Sequence, residues 1–144
     1  MLRRWEGMVK VKSARIAILV LMGLLVSCYW SRYPELMDTH LTLLDQYSNK
    51  LDAMARMSGG VPVEAWGEFV YPLERAQDFA RIAGQRYPEM VSLGRFQVVL
   101  ETYQELLDDP GLLTGQANLS RLEARRAALV LAVAEARAAL ASES

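Results

Sequence analysis

The strongest constraint on the fold lies near the C-terminus. Leu119, Leu122, Arg126, Leu129, Val133, Ala136 and Leu140 follow one another in alternating steps of three and four. That spacing sets all seven on one side of an α-helix, in the register of a bundle or coiled-coil seam. A β-strand would scatter them over both of its faces. Alanines at 124, 127, 128, 132, 134, 138 and 139 raise helix propensity and permit close packing. The spacing predicts a helix over 117–141, with Thr114 or Asn118 as its cap, and a frayed tail at 142–144. Arg126 is the polar residue on the seam. Its stem can lie on the core while its head reaches water or an acidic partner. With Arg121 and Arg125 it makes a small basic patch that Glu123 partly offsets.

Three further stretches show the same periodicity. Met37, Leu41, Leu44, Tyr47, Leu51 and Met54 form one stripe of a helix that begins at Pro34 and stops at Gly59-Gly60. Phe69, Leu73, Ala76, Phe79 or Ala80, and Ala83 mark a second over 63–86. Pro72 should either kink that helix or begin it. Met90, Leu93, Phe96, Leu100, Tyr103 and Leu107 mark a third, expected to start at Pro88 and to end at the turn cluster Asp108-Asp109-Pro110-Gly111. Tyr-Pro-Glu opens both the first and the third of these segments, at Tyr33 and at Tyr87. Strand signals are missing: no alternation of period two is sustained and no Asn-Gly turn occurs. Short connections favour antiparallel neighbours, so the expected fold is all-α, an up-down antiparallel bundle of about four helices over 34–141.

The N-terminal segment is of another kind. Residues 1–28 carry Arg3, Arg4, Lys10, Lys12 and Arg15 against Glu6, a net of +4, while residues 29–144 carry a net of −5. After Arg15 comes an uncharged apolar run, Ile16 to Val26. It fits the core of a signal peptide and falls well short of the roughly 20 residues of a membrane-spanning helix. The run closes on Leu25-Val26-Ser27-Cys28, and Cys28 is the chain's one cysteine. This resembles the lipobox of bacterial lipoproteins. The resemblance implies cleavage between Ser27 and Cys28 and a lipid on the Cys28 thiol. It sets out a signal peptide over 1–27, a lipidated linker over 28–33 and the bundle after it. Met8 offers an alternative start, since Met8-Val9-Lys10-Val11-Lys12 opens a compact basic leader. An uncleaved anchor is the competing reading of the segment, with Tyr29-Trp30 at the membrane interface.

Chemistry-bearing patterns are sparse. A single cysteine builds no intramolecular disulfide, so the domain rests on its core. Di-metal bundles need Glu-x-x-His pairs, and the chain has one histidine, His40. Asp38-x-His40 is too little for zinc. A haem held by His40 and Met90 is the one pairing across helices and is disfavoured; methionines in bundles are usually core filler. No nucleophile elbow or glycine-rich phosphate loop occurs. The expectation is therefore no enzyme, no metal and no cofactor. The acidic mature segment argues against nucleic acid as a partner.

Two surfaces are candidates for protein contact. Trp66, Phe69 and Tyr71 crowd around Pro72 and could form either a bundle cap or a partner surface. Glu101, Glu105, Asp108 and Asp109 form an acidic cluster at the end of the third helix, either a solvated face or a dock for a basic partner. Together these readings describe an interaction or assembly module of the bacterial cell envelope, anchored through lipid at Cys28, facing the periplasm, with an envelope protein as partner. In size and layout it is similar to the small helical lipoproteins called pilotins, which escort secretion pores; no motif carries that likeness. A ligand-binding bundle and an immunity or inhibitor protein are the alternatives. Tyr29 after the cysteine, in place of an aspartate, resembles the outer-membrane sorting choice of enteric bacteria.

Overall fold

The structure is a computed structural model and describes residues 12–25 and 32–143. The described residues are all-helical, without a strand. A first helix, α1, covers 12–25, and every residue in it is exposed. Its described length is about 21 Å at 1.5 Å per residue, against roughly 30 Å of bilayer hydrocarbon. No described helix is long and apolar enough to cross a membrane. Ser27 and Cys28 lie outside the described residues, and with them the cleavage and lipidation expectations.

Four longer helices follow: α2 Tyr33–Ser58, α3 Trp66–Arg86, α4 Val91–Leu107 and α5 Leu119–Glu143. A 3-10 turn at Val63–Ala65 leads into α3. Together α2 to α5 make a helical bundle whose core takes most members of the stripes read from the sequence, while Leu119 is exposed, Tyr47, Met54, Met90 and Leu93 are half-buried, and Val99 and Leu106 are buried off the stripes. Met37, Leu41, Leu44 and Leu51 of α2 are fully buried, as are Phe69 and Ala76 of α3, Phe96, Val99 and Tyr103 of α4, and Leu122, Leu129 and Ala136 of α5. Burial of a large apolar side chain stabilises by about 1.5–3 kcal/mol, which is what holds a domain with no disulfide.

The ends differ from expectation in instructive ways. Pro34 does sit in the first turn of α2, where its missing N–H is unneeded. The second Tyr-Pro-Glu behaves otherwise. Tyr87 caps the end of α3, its N–H donating to the Ala83 carbonyl, and α4 begins only at Val91 after an extended Met90. Pro72 neither starts nor ends a helix; α3 runs through it, with Pro72 buried. Its ring removes the N–H that the Glu68 carbonyl would accept. Asn118 caps α5 by accepting the Arg121 N–H at 3.0 Å, whereas Thr114 turns back to the Gly111 carbonyl. α5 continues through Glu143. That carboxylate reaches the start of α4, accepting from the Ser92 N–H at 2.9 Å and from the Ser92 hydroxyl. A negative charge there suits the positive end of the helix dipole.

The loops at one end are pinned together. Gly59 closes α2 with φ +79°, and its carbonyl accepts from Ala117 N–H at 2.8 Å. Val61 N–H donates to the Leu112 carbonyl at 2.7 Å. A Cβ on Gly59 would collide with the Gly115 carbonyl oxygen, and one on Gly60 with that of Leu112. Glycine is required here because two backbones touch, in addition to the positive φ at Gly59.

Candidate interaction surface

The aromatic segment at the start of α3 divides between core and surface. Residues two apart on a helix point about 200° apart, so Phe69 and Tyr71 cannot share a face. Phe69 is fully buried and meets the Tyr47 ring edge-on at 6.1 Å. It is core and offers nothing to a partner. Tyr71 is 60% exposed, with the Arg75 guanidinium 5.9 Å from its ring centroid. Trp66 is half-buried. The surface that remains from the segment is Tyr71 with Arg75, since Trp66 lies about 140° from Tyr71 around the helix.

The core also holds a buried polar contact that the sequence did not signal. Tyr103 of α4 is fully buried, and its hydroxyl donates to the Phe69 carbonyl at 2.7 Å. Burial pushes the phenol well above its ordinary range, with the neighbouring Tyr47 adding to the effect. A buried tyrosine needs such a partner for its O–H. The bond ties α4 to α3 within the core.

Within the acidic cluster, the carboxylate of Asp109 meets a cation of the chain. Glu101, Glu105 and Asp108 are exposed, but Asp109 is buried, 4% accessible, and is closed off as a docking residue. Asp109 accepts from Arg121 at 3.4 Å, and its other oxygen, Oδ2, is buried without a hydrogen-bond partner. Arg125 donates to the Glu105 carbonyl at 2.5 Å, and Asp108 accepts from Gln104 at 3.0 Å. Thus two arginines of the basic patch of α5, Arg121 and Arg125, reach the end of α4 and the turn after it. Arg126, the misfit on the seam, stands 4.0 Å from Asp45 of α2, with its Nε buried and unpartnered.

Asp45 belongs to a second pattern. Asp38, Asp45 and Asp52 recur every seven residues along α2. Asp38 accepts from Arg137 at 2.9 Å, Asp45 lies near Arg126, and Asp52 accepts from Arg56 at 2.9 Å. Exposed pairs of this kind contribute about 0–1 kcal/mol each. Two of them, Asp38–Arg137 and Asp45–Arg126, run between α2 and α5, while Asp52–Arg56 lies within α2.

His40 sits among rings, 5.0 Å from Phe79 and 6.3 Å from Phe96 by centroid. Its Nδ1 is buried and has no hydrogen-bond partner. Burial lowers its pKa below the ordinary value, and the Arg75 charge lowers it further. A neutral imidazole packed between phenylalanines fills space as an aromatic. Among the described residues, no group of three or more His, Cys, Asp or Glu side chains gathers where it could hold a metal ion. No known protein family matches the chain, nor does any curated protein or solved structure.

Proposed function

We propose that this chain is the precursor of a bacterial lipoprotein, cut before Cys28 and lipidated on that thiol. What remains is an up-down antiparallel bundle of four helices, tethered to a membrane as an interaction or assembly module of the cell envelope. The observation that carries this reading is the placement of the chain's one cysteine. Cys28 stands at the end of the uncharged run Ile16–Val26, behind a basic stretch. A thiol takes a diacylglyceryl group as a thioether, and two or three acyl chains give stable anchoring at about 0.8 kcal/mol per buried methylene. The face toward the periplasm follows, with the outer membrane favoured where the cell has one.

Opposed pairing of the helices supports the up-down order. Going forward along α2, His40 meets Phe79 and Tyr47 meets Phe69, so α3 is met in reverse. The same holds for α3 with α4, through Phe79–Phe96 and Phe69–Tyr103. It holds for α4 with α5, through Ser92–Glu143 and Arg95–Glu135, and for α2 with α5, through Asp38–Arg137 and Asp45–Arg126. Tyr71 and Arg75, exposed together on α3, support the interaction role, since aromatic and guanidinium groups are the usual anchors of interfaces. Two experiments in bacterial cells test the reading. Feeding a labelled fatty acid should mark the chain and should fail to mark Cys28→Ala; equal labelling of both refutes the lipid site. A photo-crosslinking residue at position 71 should capture a discrete envelope protein that the same residue at Gln77 does not; identical patterns at both refute the partner surface.

A further inference from the structure

A helix that is apolar all round is normally buried all round. α5 is apolar on two opposite sides, and its own bundle covers one. The inner stripe, Leu122, Leu129, Val133, Ala136 and Leu140, is buried. The outer stripe is Ser120, Ala124, Ala127, Leu131, Ala134, Ala138 and Ala141, again in alternating steps of four and three, and every member is exposed. Leu131 is 61% exposed and the adjoining Val130 47%. From 124 to 134 the exposed positions of α5 are Ala124, Ala127, Ala128, Val130, Leu131 and Ala134, none of them charged. The other helices present charge at their outer positions: Glu74, Arg75, Asp78 and Arg81 on α3, and Arg95, Glu101 and Glu105 on α4.

We propose that a second copy of this chain covers the outer face of α5, with the two α5 helices antiparallel about a two-fold axis on that face, level with position 129 along the helix. Two features choose this occupant and this register. The first is size. Setting Leu131 of each copy against Ala127 of the other places Ala124 opposite Ala134 and Ser120 opposite Ala138. Large meets small at the centre and small meets small elsewhere, as close helix packing requires. The second is charge. The same register sets Glu123 against Arg137 of the other copy along one edge, and Arg121 against Glu135 along the other. Symmetry doubles both, so all four charges bordering the stripe meet their opposites. Sliding one helix by a heptad loses every one of these pairs: Arg137 then faces Val130, and Glu135 faces Ala128. A parallel arrangement loses them too, because Glu123 then faces Ala128 and Arg137 faces Ser142. The four side chains already have partners within their own chain and still keep 43–73% of their surface exposed, room enough for a second ion pair. Val130 and Ala128 each face their own counterpart across the axis. Such a surface fits its own copy because a two-fold contact must be self-complementary.

Cysteine scanning in the full chain, with Cys28→Ser and in a non-ionic detergent, tests this. At 1.5 Å per residue, position 130 lies about 3 Å along the axis from its counterpart and position 138 about 27 Å. Val130→Cys should give a dimer with a short bis-maleimide at least tenfold faster than Ala138→Cys. Equal crosslinking at both, or a chain that sediments as a monomer and crosslinks at neither, overturns the proposal. All these positions are exposed, so the fold should tolerate the changes, and circular dichroism checks it. As an independent arm, Glu123→Arg should weaken the dimer several-fold, and Glu123→Arg with Arg137→Glu should restore it. A double variant no tighter than the single overturns the register. A dimer unaffected by Leu131→Lys overturns the surface.

Discussion

Tyr103→Phe removes one oxygen atom from the centre of the bundle, and its cost can be worked out in advance. The hydroxyl donates to the Phe69 carbonyl at 2.7 Å, and both residues are fully buried. A backbone carbonyl inside a helix also accepts from the N–H four residues on, here Leu73, so the Phe69 oxygen keeps one partner after the change. The loss is therefore the net worth of a hydrogen bond, about 1 kcal/mol, and not the larger penalty of an orphaned group. Phenylalanine keeps the ring and its packing. For a domain of this size, 1 kcal/mol corresponds to a fall in Tm of roughly 4 °C. Urea unfolding followed by helical circular dichroism should show a lower midpoint with an unchanged slope. The variant should differ at high pH as well. Because burial raises the folded-state phenol above its unfolded value of 10.0, the wild type has its full stability below pH 10 and loses it as pH rises further. Tyr103→Phe should lack that component. An unchanged midpoint, or the same alkaline loss in both proteins, would refute the contact between α4 and α3.

Further outcomes follow from the same physics. The lowered pKa of His40 means that below pH 6.5 the unfolded chain binds a proton that the folded chain resists. Stability should fall as pH drops from 6.5 toward that lower folded-state value, and His40→Phe should abolish the dependence in that window of a urea titration. Gly59→Ala should cost at least about 2 kcal/mol by chemical denaturation, since positive φ costs an L-residue about 1–2 kcal/mol and the new Cβ meets the Gly115 carbonyl oxygen. Gly94→Ala, on an open helical position, should instead stabilise by up to about 1 kcal/mol. Glu143→Gln should lower stability by about 0.5 kcal/mol, measured the same way, by weakening the charged cap on α4.

The helices were legible because their apolar residues repeat at helical spacing over many turns. Leu122, Leu129, Val133 and Leu140 are buried as that repeat requires. Part of what escaped had no periodic signal. Asp109 reads as one more loop carboxylate, yet the turn back into α5 buries it. Pro72 signals a break, yet packing on both sides carries α3 through it, which propensity alone cannot anticipate. The two Tyr-Pro-Glu segments are alike locally and diverge because one opens α2 while the other must close α3 first. Phe69 and Tyr71 could have been separated from the sequence, since Phe69 continues through Leu73 and Ala76 and Tyr71 falls off that stripe. The second seam of α5 was equally visible, but alanines serve both propensity and packing, and their exposure was needed to tell the two apart.

Whether Cys28 carries lipid is measured most directly by the intact mass of the protein extracted from bacterial membranes, wild type beside Cys28→Ala. The wild type should weigh what residues 28–144 weigh plus diacylglycerol, with or without a further acyl chain, and the variant should lose that form. An unmodified, uncleaved mass in both would contradict the lipoprotein assignment.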